Sequence, residues 1–148
     1  MAQVGPAEQA SGGRWRGRQE RVLWEMRVAD RGRDYCVRLT AAEERGEWFL
    51  VAEAGSVDEG GFASCLSLEV GSDGVSAGDL AEADFATLDG AARGWYVVHV
   101  QVYNCAFAWP VVDELRWRGF LGQAEFGLGE FMRTLMVLWA KHVTDGRA

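Results

Sequence analysis

Between Val22 and Val28 apolar and polar side chains alternate, with Val22, Trp24, Met26 and Val28 on one side and Glu25 and Arg27 on the other. A period of two is that of a half-buried strand, because successive side chains of an extended chain point to opposite faces. The turn-forming run Asp30–Asp34 separates this stretch from a second alternating one, Tyr35–Ala41, so the pair predicts a β-hairpin. A polar turn around Gly46 leads to Trp48–Ala54, apolar on both faces until Glu53, the pattern of a more central strand. Beyond the acidic loop Gly55–Gly61, Phe62–Val70 predicts a fourth strand, with Ser64, Leu66, Leu68 and Val70 on one face.

After Gly71–Gly74 the period changes. Leu80, Ala83 or Asp84, and Leu88 recur at helical spacing with Gly90 just beyond, which predicts a short acidic helix over Asp79–Leu88. Trp95–Tyr103 is rich in β-formers and predicts a strand with Tyr96, Val98, Val100 and Val102 on one side and Trp95, Val97, His99, Gln101 and Tyr103 on the other. Trp109-Pro110 marks a break, since proline has no N–H and restricts the residue before it. Val112–Phe120 then reads as a further strand, Leu115 and Trp117 inward and Arg116 and Arg118 outward. Four glycines lead to Leu128–Val143, where Leu128, Phe131, Met132, Leu135, Leu138, Trp139 and Val143 form one broad helical stripe. Periodicity assigns Trp24, Trp48, Trp117 and Trp139 to the core and leaves Trp15, Trp95 and Trp109 outside it.

Together these elements predict an α+β class: a mainly antiparallel sheet of about six strands, one short inserted helix, and one long C-terminal helix packed on the sheet. Residues 1–20 carry no apolar period and predict a disordered or loosely ordered arm, ahead of a single α+β domain over 21–146. A chain of 148 residues can bury enough apolar surface to be stable without disulfide or metal staples.

Charge adds the first functional constraint. The formal net charge is −7, but residues 40–92 hold twelve acids against the single Arg45, a local −11, whereas residues 14–38 hold eight arginines against four acids. A field of that sign repels phosphate backbones and attracts basic surfaces, so a protein partner with a basic surface is expected and nucleic acid is not. The longest apolar run, Thr134–Ala140, is far short of the roughly 20 residues of a membrane span. No cationic start followed by an apolar run is visible at the N-terminus, and a cytoplasmic location follows as the expectation. Cys36, Cys65 and Cys105 are an odd, widely spaced set, which predicts free thiols.

Motifs of known chemistry are missing. The chain contains no glycine-rich phosphate cradle and no Gly-x-Ser-x-Gly elbow, and its two histidines and three cysteines have no metal-ligand spacing. No catalytic residue, cofactor or metal ligand is assigned. Glu43, Glu44 and Glu47 fall in a turn and Glu82 and Asp84 on a helix surface, where solvated charge is usual, rather than facing one another across a substrate-sized gap.

Two functional expectations of different classes remain. The first is a non-enzymatic protein-interaction module, an acidic domain binding a basic partner in the manner of an inhibitor, immunity or chaperone-like protein, with Asp58, Glu59, Asp79, Glu82, Asp84 and Asp89 at the contact. The second is a small-molecule binding domain or enzyme that uses the sheet face around Trp95, His99, Gln101 and Tyr103, the imidazole acting alone or with Cys36 or a loop carboxylate.

Overall fold

The computed structural model describes residues 19–91, 94–103, 105–122 and 124–145. The expectations for Trp15 and for the arm fall outside these residues, apart from Gln19 and Glu20, which open the first strand. Four strands of twelve residues each, β1 (Gln19–Asp30), β2 (Arg33–Glu44), β3 (Glu47–Asp58) and β4 (Gly61–Ser72), follow one another through two-residue turns. In the first two turns both central residues have positive φ, 53° and 80° at Arg31-Gly32 and 56° and 83° at Arg45-Gly46. That backbone matches the right-handed twist of the strands it joins, and glycine at the second position supplies it without strain. With β5 (Trp95–Val102) the strands make one antiparallel sheet in the order β1-β2-β3-β4-β5.

The α+β class therefore stands, with five strands among the described residues rather than about six. The missing strand is a helix. Residues 108–117, read as a break and the start of a strand, form α3 (Ala108–Trp117), and Ala108, Val111, Val112 and Leu115 are its buried face. These positions run i, i+3, i+4, i+7, the spacing of one helix stripe. Pro110 sits in the first turn, where a backbone N–H has no intrahelical acceptor and its loss is harmless. At the other end Gly119 takes φ +90°, its N–H donates to Arg116 O at 3.0 Å, and Phe120 N–H donates to Leu115 O at 2.9 Å. This is the paired closure of a Schellman cap, and it stops the helix. Trp117 falls off the stripe and is 88% exposed, which overturns its assignment to the core.

The single acidic helix expected over Asp79–Leu88 is two: α1 (Ala77–Glu82) and α2 (Phe85–Ala91). Ser76 and Asp79 cap the first reciprocally, Ala83 turns extended, and the Asp84 carboxylate restarts the helix by accepting Thr87 N–H at 2.8 Å. The Arg21 guanidinium ties this break to β1, donating to Leu80 O at 2.9 Å and Ala83 O at 2.8 Å. The last helix, α4 (Leu128–Asp145), buries Leu128, Phe131, Met132, Leu135, Leu138, Trp139 and Val143. These side chains share one buried cluster with Tyr35, Val37, Leu39 and Ala41 of β2, Leu50, Ala52 and Ala54 of β3, and Leu66, Leu68 and Val70 of β4. The Trp139 indole N–H donates to Gly55 O at 3.1 Å. Gly55 admits no side chain, since a Cβ there would lie 2.0 Å from the Ala63 carbonyl oxygen of β4.

Three strands carry a register shift, in β1 at Leu23, in β4 at Cys65 and in β5 at Val98. Each inserts one residue and so moves everything beyond it to the other face. Val22 is consequently exposed, Ser64 leaves the face of Leu66 and Leu68, and Trp95, assigned outside the core, is buried within it; Met26, which keeps the face of Trp24, is exposed as well. The second face of the sheet is buried too at Cys36, Thr40, Ala42, Val51, Glu53, Ser64 and Ser67. Across it the Arg38 guanidinium stands 4.1 Å over the Phe62 ring and bonds Glu53 at 3.3 Å.

Candidate functional site

The acids assigned to partner contact do not form one surface. Asp58 and Glu59 sit in the β3–β4 turn, whereas β4 carries the chain through twelve residues to α1 and α2 at the opposite end. At about 3.3 Å per residue the two groups lie roughly 35 Å apart along the sheet. Several of these carboxylates are also engaged in the fold. Asp58 accepts Gly60 N–H at 2.8 Å, Asp79 accepts Ser76 N–H at 3.0 Å, and Asp89 accepts Gly129 N–H at 2.9 Å, capping the start of α4. Hydrogen bonds from the Thr87 side chain and backbone hold the Asp84 carboxyl below its ordinary range. Glu59 and Glu82 are exposed.

The helix end of the sheet gathers further acids. The β2–β3 turn brings Glu44 opposite Glu47, and β3–β4 pairing sets Glu69 across from Val51, diagonal to Phe49. Glu44, Glu47, Trp48, Phe49 and Glu69 line a concavity of about 250 Å³. An adjoining one of about 230 Å³ shares Trp48, Phe49 and Glu69 and continues past Val75, Leu80 and Tyr96 to α1. Drug-sized ligand pockets run from roughly 300 to 1,000 Å³, so each concavity suits a single long side chain better than a cofactor. Three carboxylates beside the Phe49 ring fit a cation: the acids attract it, and the ring face adds cation–π attraction. The sequence signal was Glu47-Trp48-Phe49, aromatics directly against turn acids, but Glu69 joins them only through the strand pairing.

The row expected around His99 is split. Val70 pairs with Val97 and Glu69 with His99, leaving Val98 as the extra residue, so Trp95 lies in the core on the face opposite His99. His99 is exposed across from Glu69, Gln101 pairs with Ser67, and the Tyr103 hydroxyl donates to Gln101 Oε1 at 2.7 Å. Cys36 is no partner for His99. It lies in β2, three strands from β5, or roughly 14 Å at the usual strand spacing. Its thiol donates to Glu25 Oε2 at 3.2 Å, and burial, reinforced by that carboxylate, pushes its pKa up to about 12.

Among the described residues no group of three or more His, Cys, Asp or Glu side chains converges to hold a metal, and no helix is long and apolar enough to cross a membrane. Comparison of the chain with protein-family models, with curated proteins and with solved structures finds no match.

Proposed function

We propose that this chain is a non-enzymatic interaction module that holds a basic segment of a partner protein at the helix end of its sheet. The observation that carries the reading is the acid-lined concavity of Glu44, Glu47 and Glu69 with Phe49, adjoined by a second one that reaches Leu80 of α1. An arginine or lysine side chain of the partner would enter it between the carboxylates and the Phe49 ring, while the surrounding negative field speeds encounter. An inhibitor, an immunity protein and a chaperone-like protein would each use such a surface. The small-molecule reading would retain His99, Gln101 and Tyr103 but loses the indole that was to wall its site, because Trp95 is 1% exposed and faces the core.

The test is a titration of isotope-labelled protein with an arginine-rich peptide, followed residue by residue in amide spectra. Shifts are expected at 44–49 and at Glu69, with the Asp58–Gly61 turn unmoved. Association should slow as salt rises from about 0.05 to 0.5 M. Glu47→Lys with Glu69→Lys should weaken binding by about tenfold, equivalent to about 1.4 kcal/mol. Equal shifts at both ends of the sheet, or an affinity indifferent to salt and to the charge reversal, would overturn the proposal.

A further inference from the structure

Cys65 and Cys105 are far apart in sequence and meet where β5 hands the chain to α3. Cys65 is the bulged residue of β4, lying between Ser64, which pairs with Gly55, and Leu66, which pairs with Ala54. A bulge re-aims a side chain out of the regular alternation. The Cys65 carbonyl accepts Tyr103 N–H at 2.9 Å, which fastens the segment leading to Cys105. Cys105 stands just ahead of α3, its carbonyl accepting Ala108 N–H at 3.1 Å. Its sulfur lies close enough to the Cys65 thiol, and to the backbone N–H groups of Phe107 and Ala108, for each to bear on its charge. Both cysteines are free and half-buried against the edge of the core, whereas Cys36 is fully buried.

We propose that Cys105 and Cys65 form an oxidisable thiol pair, closed to an intramolecular disulfide by a hydroperoxide, with Cys105 as the attacking sulfur and Cys65 as the resolving one. The Cys105 thiolate attacks the terminal oxygen of the hydroperoxide and breaks the O–O bond. Cys105 becomes a sulfenic acid, and the departing alkoxide or hydroxide takes up a proton to leave as alcohol or water. The Cys65 sulfur then attacks the sulfenic sulfur. Its proton leaves with the displaced hydroxyl as water, so two thiols and one hydroperoxide yield one disulfide, one alcohol or water, and one further water.

The surroundings of each sulfur fit its role. The hydrogen bond from Cys65 and the two helix-start N–H groups favour the charged form of Cys105 and hold its thiol below the ordinary cysteine range, against a smaller opposing effect of burial. Cys65, as the donor of that bond and partly desolvated, is pushed up. A disulfide is about 2.05 Å long, so the two sulfurs must draw together, a movement that side-chain rotation can supply.

The experiment treats the full chain with hydrogen peroxide, alkylates the remaining thiols, and maps peptides without reduction. One alkylatable cysteine, Cys36, is expected to survive of the three, together with a single linked peptide joining Cys65 and Cys105 that dithiothreitol releases. In Cys65→Ser a sulfenic-acid trap should label Cys105, and in Cys105→Ser peroxide should leave Cys65 unlabelled. Cys36→Ser should behave as the unaltered chain. The map of the unaltered chain decides the matter even if a variant fails to fold. All three thiols remaining alkylatable, a linkage through Cys36, or a disulfide only between molecules would each overturn the pair.

Discussion

Helices α3 and α4 bury their apolar faces in the same core but are held in different ways. The eighteen residues of α4 lay seven fully buried side chains along their whole length, and one of them, Trp139, also bonds the backbone of β3. The ten residues of α3 bury four, and what distinguishes it is its ends: Pro110 in the first turn and the double closure through Gly119 and Phe120 in the last. Helices shorter than about 12–15 residues are marginal by themselves, so a short one depends on how its termini are satisfied. A long helix is fixed by its face and a short one by its caps. Each statement makes its own prediction.

The largest effect should come from the face of α4. Leu135→Ala removes a side chain with no exposure from the centre of the stripe and should lower stability by about 2–5 kcal/mol in chemical denaturation, the range of buried leucine truncations. A loss below about 0.5 kcal/mol, the surface range, would show that this face is not core. The cap of α3 comes next. Gly119→Ala meets nothing within 4 Å, so its cost is the backbone strain of φ +90° alone, about 1–2 kcal/mol. An unchanged denaturation midpoint would mean that α3 is held by its face as α4 is, and the contrast would fall.

The same contrast decides what could be read from the sequence. In Leu128–Val143 seven apolar positions agree on one period, and no strand reading competes. In α3, Leu115 and Trp117 alternate as well as any strand, while Ala108, Val111, Val112 and Leu115 keep helical spacing, and a segment this short does not separate the two. Reading Pro110 as a break tipped the choice, although a first helical turn tolerates proline. The sheet was legible in its hairpins and illegible at its bulges. Nothing in Val97-Val98-His99 announces the extra residue that sends Trp95 inward and His99 outward. Of the candidate site, the acidic excess could be counted from residues 40–92, but its division between two ends of the sheet depends on the direction of β4. Glu69 came to line one concavity with Glu47 only through the strand pairing.

The smallest effect lies at the seam between the two helices, where Glu114 of α3 meets Lys141 and His142 of α4. Its carboxylate accepts from Lys141 Nζ at 3.2 Å and bonds the His142 ring at Nε2, and Arg118 comes within 3.9 Å. The bond to His142, and after it those to Lys141, hold the Glu114 carboxyl below the ordinary glutamate range. A carboxyl whose folded pKa is depressed binds its proton more readily in the unfolded chain. The stabilisation it gives is complete above the unfolded value, near 4.3, and is lost as pH falls from there through the folded value. Glu114→Gln should therefore lower the melting temperature slightly at neutral pH, by less than Gly119→Ala does, because exposed ion pairs contribute little. The difference between Glu114→Gln and the unaltered chain should vanish as pH drops below the ordinary carboxylate range, and high salt should shrink it at neutral pH. A difference that persisted undiminished into acid would mean that Glu114 joins the helices by shape rather than by charge, and α3 would then be held at its flank as well as at its ends.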